Sequence, residues 1–392
     1  MNSKSQKKYQ LHFQPIISAD EIEVIGFEIY ATNSLEQVDR EYIDISNLNE
    51  INYLNLMNQI LIETKLISRN KLIFIKIDAN ILVNELGDKL LELILGHQEQ
   101  GYNISNIVLE LPEHEFEGDI ESLYYLTKYY RTYGIKIALL GICQEKSNLD
   151  RVKYISPNIM KIDLGKFKVQ YSSNFSLGFL KSLSMLSSKI GATLLYDNIE
   201  SDLQLYYAWT NNGRYYQGNF ISGIQSQISI LATFNHIKDE FQDFVIREMK
   251  KLDTLFNLQK KLNGLIKFEL SKIDIDVGYN TLLENLARTF TDMGIRLFIV
   301  DDLGYQKSYN YYKVEGNWVA QSEFEGRNWG WRPYFLRNIL QMKYESNGTL
   351  SDVYTDVETH QMLRTFSYPI SKNHFLFIDL DPSFLYEEDV LL

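Results

Sequence analysis

Short apolar runs alternate with longer amphipathic stretches over the first two-thirds of the chain. Lys71–Ile77, Ile107–Leu111, Ile135–Leu140, Ile159–Ile162, Ala192–Tyr196 and Tyr215–Gln217 are rich in β-branched or continuous apolar residues, as strands covered on both faces should be. Between them, Asn52–Leu66, Asp88–His97, Gly118–Tyr133, Phe175–Lys189 and Asp202–Thr210 read as helices. A strand–helix alternation sustained over ~200 residues predicts a parallel α/β sheet and allows it to close as a (β/α)8 barrel. The opening breaks this rhythm. Gln10–Ile17 and Glu23–Tyr30 are strand-like runs around Ser18-Ala19-Asp20-Glu21, which predicts an antiparallel hairpin ahead of the barrel.

Residues 237–273 change character. Phe241, Val245, Leu252, Leu255, Leu262 and Ile266 recur at helical spacing through a charged segment, predicting one long amphipathic helix. Such a helix either packs on its own barrel or pairs with a second copy, and length alone does not decide. From about Tyr279 the pattern mixes polar and aromatic residues. A helix over Tyr279–Met293 precedes strand-like runs at Arg296–Asp301, Tyr309–Val314, Leu350–Tyr354, Leu363–Tyr368 and Phe375–Asp379, with a helix over Arg332–Tyr344 among them. This predicts a small antiparallel α+β domain. The expected division is a barrel over 1–236, a connecting helix over 237–276 and the small domain over 277–392.

Composition narrows the function classes. With 392 residues, 45% hydrophobic, the chain suits two packed domains rather than a disordered polymer. Its net charge of −12 disfavours non-specific binding to DNA, RNA or an anionic membrane. Cys143 is alone, so neither an intramolecular disulfide nor a cysteine metal site is expected. No secretory signal or apolar span of membrane length is visible, which points to the cytoplasm.

Six short motifs then occur in a fixed order. They are Gln14-Pro15-Ile16, Gly26-Phe27-Glu28-Ile29-Tyr30, Leu109-Glu110-Leu111-Pro112-Glu113, Met160-Lys161-Ile162-Asp163, Tyr196-Asp197-Asn198-Ile199-Glu200 and Gln217-Gly218. Together they resemble the EAL domain family, a modified (β/α)8 barrel that hydrolyses cyclic di-GMP. The segment Asn328-Trp329-Gly330-Trp331-Arg332-Pro333-Tyr334-Phe335 extends the likeness to the YkuI type, in which a PAS-like domain follows the barrel and its helix.

The resemblance implies two divalent ions held by carboxylates, which activate a water for attack on the phosphodiester. This chain keeps Glu28 and Glu110, the lysine expected beside the attacking water (Lys161) and Gln217, and it shortens one glutamate to Asp197. Lys76 stands where the family has an asparagine ligand, and Leu140 and Gly141 replace an adjacent aspartate pair. Thr32 replaces a phosphate-contacting arginine. Lys76 either replaces the metal charge between Glu28 and Glu110 or points to solvent beside an eroded site.

The expectation is a catalytically inactive regulator or scaffold, with no metal and no other cofactor. The alternatives are a cyclic di-GMP receptor, binding through Gln14, Lys76, Lys161 and Gln217 without hydrolysis, or a residual phosphodiesterase. A homodimer is expected, through Ile142–Arg151 by family likeness or through the long helix; a protein partner is not identified. In the tail, Trp329, Trp331, Arg332, Tyr334, Tyr354 and Arg364 either form core or frame a pocket for a carboxylate or phosphate. His114 and Cys143 read as structural.

Overall fold

The computed structural model describes residues 9–33, 42–112, 116, 118–142, 149–165, 174–228, 234–273, 278–332 and 334–390. Two compact units divide the chain, Met1–Gln242 and Asp243–Leu392. In the first, β1 (Tyr9–Ser18), β2 (Val24–Asn33), β3 (Leu72–Lys76), β4 (Ile107–Pro112), β5 (Lys136–Leu140), β6 (Ile159–Asp163), β7 (Thr193–Asp197) and β8 (Gly213–Tyr216) close in sequence order into a barrel. Strand β1 is antiparallel to both β2 and β8, and the remaining neighbours are parallel. The reversed first strand is the hairpin expected from the sequence. Helices α1 (Glu50–Thr64), α2 (Ala79–Leu82), α3 (Glu85–Glu99), α4 (Ile120–Thr132), α5 (Leu149–Ile155), α6 (Asn174–Ile190) and α7 (Asp202–Thr210) lie between the strands along the chain.

Ile16, Phe74, Val108, Ala138, Ile159 and Leu195 form one fully buried cluster from six different strands. That layer makes the barrel a packed core rather than a pore. Two glycines permit close backbone approach. A Cβ on Gly26 would lie 2.5 Å from the Leu72 carbonyl oxygen, where β2 meets β3. Gly218, directly after Gln217, has φ +146°, and a Cβ there would lie 2.2 Å from the Ile199 backbone nitrogen.

Helix α8 (Asn235–Leu270) is a single 36-residue helix, and the division between the units falls within it. In the second unit its Leu258, Leu262 and Ile266 pack into one core with Leu282, Leu286 and Phe290. Leu282 and Leu286 lie on α9 (Tyr279–Thr289). The same core includes residues of β9 (Gly294–Asp301), β10 (Asn310–Val314), β15 (Thr365–Pro369) and β16 (His374–Leu380). With β11 (Asn317–Gln321) and β12 (Thr349–Leu350) they make a six-stranded sheet in the order β11-β10-β9-β16-β15-β12, antiparallel throughout. A short pair, β13 (Tyr354–Thr355) and β14 (Met362–Leu363), stands apart. Helix α10 (Phe335–Glu345) lies between β11 and β12 in sequence, and α11 (Pro382–Glu387) follows β16.

Two expected tail strands are each split. Leu350–Tyr354 becomes the ends of β12 and β13, which belong to different sheets. Leu363–Tyr368 divides at Arg364, whose guanidinium donates to the carbonyls of Val390 (2.7 Å) and Ser351 (2.9 Å) and so ties the strand break to two loops. Strand β11 is not among the expected runs, because its apolar residues Trp318, Val319 and Ala320 are consecutive and do not alternate with polar ones.

Gly218→Ala should destabilise the barrel by about 1–3 kcal/mol or more, since it combines overpacking with an unfavourable backbone conformation. Gly223→Ala, where the nearest atom would lie 3.7 Å from the new Cβ, should be nearly neutral. Denaturant unfolding of the two variants checks the difference.

Candidate functional site at the barrel mouth

In a barrel of parallel strands, the chemistry-bearing side chains gather where the strands end. Glu28 on β2, Glu110 on β4, Lys161 on β6 and Asp197 at the end of β7 converge there. Lys161 sits between two apolar residues in a buried strand, which leaves its side chain only the barrel interior. Its Nζ lies 2.5 Å from Glu28 Oε2, 3.1 Å from Glu110 Oε1 and 3.3 Å from Asp197 Oδ2. Lysine and both glutamates are 6% exposed or less, so this is a buried ion cluster.

A layer of amides holds the cluster. The Gln217 Nε2 donates to Glu28 and, at 2.9 Å, to Gln14 Oε1. Gln14 faces Glu28 across the β1–β2 ladder and also accepts from the Tyr30 hydroxyl at 3.4 Å. Thr32 lies against His12, with 3.1 Å between Oγ1 and Nε2. Next to Asp197, Asn198 takes up φ 55° and donates from its side chain to Asp163 at 2.8 Å.

Burial and charge act in opposition on the acids. Burial would raise Glu28, but the Lys161 ammonium and the bonds from Lys161 and Gln217 hold it below its ordinary value. Glu110 is pushed up to about 8 by burial and by the charge of Glu28, which Lys161 offsets only in part. Burial also raises Asp197. The three carboxylates overcome the desolvation of Lys161 and hold its ammonium well above the usual lysine range.

This arrangement corrects one expectation. Lys76 does not neutralise Glu28 and Glu110. It is exposed at the end of β3, and among the described residues it forms no ion pair with either glutamate. The physical reason is occupancy: a second buried ammonium would need its own compensating charge, and Lys161 already takes the central place. Lys76 instead lines a cavity of about 360 Å³ that also reaches Glu28, Tyr30, Asp44, Asp78 and Pro112. Asp44, held below its ordinary value mainly by Ser46, gains a smaller contribution from Lys76. Asp44 and Asp78 are not among the sequence candidates, since acids beside loops carry no periodic signal, and Tyr30 enters there only as part of the Glu28 motif.

Leu140 ends β5, Gly141 follows it, and neither brings an oxygen ligand from its side chain. In the β4–β5 register Leu140 faces Pro112, two residues beyond the Glu110–Ala138 pair. Gly141 has φ 75°, a left-handed conformation that favours glycine. Glu110 Oε2 is buried without a hydrogen-bond partner. Among the described residues no group of three or more acid, histidine or cysteine side chains is placed to hold a metal ion, and Glu28, Glu110 and Asp197 are drawn to Lys161 instead. His114 and Cys143 lie outside the described residues, as does most of Ile142–Arg151.

In the tail, Trp331, Arg332, Tyr334 and Tyr354 line one cavity. Two other candidates lie elsewhere. Trp329 packs against the core residue Phe298 and donates from Nε1 to Gln306 at 2.8 Å. Arg364 is the loop tie already described. The sequence reading missed a buried ionic group here: Arg296 on β9 lies 3.3 Å from Asp379 and 3.2 Å from Asp356. Arginine within the apolar run of β9 was the available signal.

Lys161→Met should destabilise the fold by about 3–5 kcal/mol, because it strands buried carboxylates, whereas Lys76→Met should cost about 0–1 kcal/mol. The loss for Lys161→Met should be greater at pH 8 than at pH 6. Lys161 holds Glu28 down and offsets part of the rise at Glu110, so without its ammonium the folded carboxyls bind protons more tightly than the unfolded ones, and the variant loses stability as pH rises. Chemical denaturation at both pH values measures this.

Residues 1–223 match the EAL domain family, and residues 231–392 match the family described as an EAL-domain associated signalling protein domain. The chain is 39% identical to the uncharacterized EAL-domain containing protein YkuI of Bacillus subtilis (strain 168), over 97% of this chain and 96% of that one. It is also similar to the crystal structure of Bacillus subtilis YkuI in complex with substrate cyclic di-GMP and calcium. That likeness has a TM-score of 0.87 at 37% identity and covers 95% of this chain and 96% of the other. With both of its domains matched in order, the chain belongs to the EAL-domain proteins of the YkuI type.

Proposed function

We propose that this chain is a regulatory EAL protein that has lost hydrolysis of cyclic di-GMP. One observation carries the reading: the end of β5 offers Leu140 and Gly141 where a two-ion site needs carboxylates. Without those ligands a pair of cations cannot be held ~4 Å apart around the attacking water. The remaining groups bind and orient. Gln14 and Gln217 hold Glu28, and Lys161 supplies positive charge inside the mouth. The second unit, an antiparallel sheet with flanking helices, supports a PAS-like sensory or interaction role.

A second reading is binding of cyclic di-GMP without turnover. What favours it is the YkuI crystal structure that holds cyclic di-GMP and calcium. One cation carried in with the nucleotide's phosphates is compatible with Glu28 and Glu110, and Lys76 at the rim adds a charge for a phosphate.

We also propose a homodimer. Val245, Met249, Leu252 and Phe256 of α8 are 44–67% exposed. Their spacing of four, three and four residues is that of a coiled-coil seam.

Incubation with cyclic di-GMP and Mn²⁺ should give no linear product above background, and metal-dependent turnover would overturn the first reading. Calorimetric titration with the nucleotide, with and without Mg²⁺ or Mn²⁺, should show binding without turnover if the second reading holds. Light scattering at micromolar concentration should report a dimer that Met249→Glu with Phe256→Glu shifts to monomer.

A further inference from the structure

The second unit contains a cavity of about 540 Å³, within the range of pockets that enclose a small molecule. Its character comes from Trp331, Arg332, Tyr334, Arg337, Asn338 and Tyr354. The aromatic rings present flat apolar faces. Tyr334 and Tyr354 lie 5.3 Å apart at 34°, and Trp331 is 66% exposed.

Among the residues that line the cavity the unpartnered buried atoms are donors, while beyond the lining Asp356 Oδ1 and Asp379 Oδ2 are buried acceptors that also lack hydrogen-bond partners. Arg332 Nη1 donates to the hydroxyls of Tyr334 (3.1 Å) and Tyr354 (3.5 Å), while Nη2 is 3.7 Å from Asp356 Oδ1. Its Nε is buried with no acceptor. Asn338 is only 6% exposed, and its Nδ2 also lacks a partner. A native fold rarely leaves such a donor unsatisfied, because its desolvation is uncompensated. Arg337 is exposed, with no ion pair among the described residues. Asp352 is the acid lining the cavity. Asp356 and Asp379 lie behind the wall, bound to Arg296 and to the hydroxyls of Thr359 and Thr365. Helix α10 begins at this wall without a side-chain cap, so the positive end of its dipole adds to the two arginines.

We propose that this cavity is a binding site for a flat organic oxyanion, a ring system carrying a carboxylate or phosphate. The ring is held between the aromatic faces, and the oxyanion supplies acceptors for Arg337, Arg332 Nε and Asn338 Nδ2. The site belongs to the second unit alone and does not depend on the fate of the barrel.

The test uses the full chain and four probes of one shape: benzoate, phenyl phosphate, benzamide and benzamidine. At millimolar concentration, benzoate or phenyl phosphate should raise the Tm saturably by a few degrees, and the stronger of the two identifies the anion class. Benzamide and benzamidine should not. Arg337→Ala should weaken the response about tenfold or more with little change in the Tm of the free protein. Asn338→Leu should weaken binding while leaving the free protein as stable as before or more so, because it removes an unpaired buried donor. The proposal is overturned by no saturable response to either oxyanion, by an equal response to benzamide or benzamidine, or by a response that both variants leave intact.

Discussion

The barrel depends on how one ammonium is shared among three carboxylates. Lys161, Glu28, Glu110 and Asp197 come from four strands that meet only when the barrel closes. Burying any one of these charges alone would cost several kcal/mol. Together they are tolerated because Lys161 reaches all three acids, Gln217 donates to Glu28, and Glu110 retains affinity for a proton near neutrality. The cluster thus ties the strand register to the electrostatics of the mouth. A slip of one residue would turn these side chains away from one another.

That arrangement also frames what the mouth can do. A divalent pair needs oxygen donors on several sides, and β5 contributes none. Gly141 adds a conformational element to the chemical one, since its left-handed backbone suits glycine better than most residues that could take its place. The barrel mouth holds the paired glutamines and the glutamate they orient, while β5 ends on Leu140 and brings no side-chain oxygen.

The second unit repeats the theme with different residues. Arg296 pairs with Asp379 directly across the β9–β16 ladder and reaches Asp356, so the sheet carries a buried ionic centre. Arg332 stands at its edge, wedged among Trp329, Trp331 and Tyr354 at 4.8–5.9 Å from their ring centres. Arg296 is consumed by the fold, whereas Arg332 lines a cavity and has one buried donor, Nε, without an acceptor.

The sequence by itself determined the strand–helix rhythm, the leading hairpin, the long helix and the mixed second unit, because each follows from hydrophobic period and local turn chemistry. It also determined that Leu140 and Gly141 bring no side-chain oxygen to the mouth, whatever the fold. What only the tertiary structure decided is which lysine answers the glutamates. Lys76 and Glu110 are register neighbours on β3 and β4, yet Lys161 reaches across from β6 and fills the place first. It also decided that Trp329 and Arg364 serve the core and the loops while Asn338 and Arg337 join a cavity. Charge pairing and cavity lining are long-range properties, set by which side chains converge once the strands have closed, and no local period encodes that convergence.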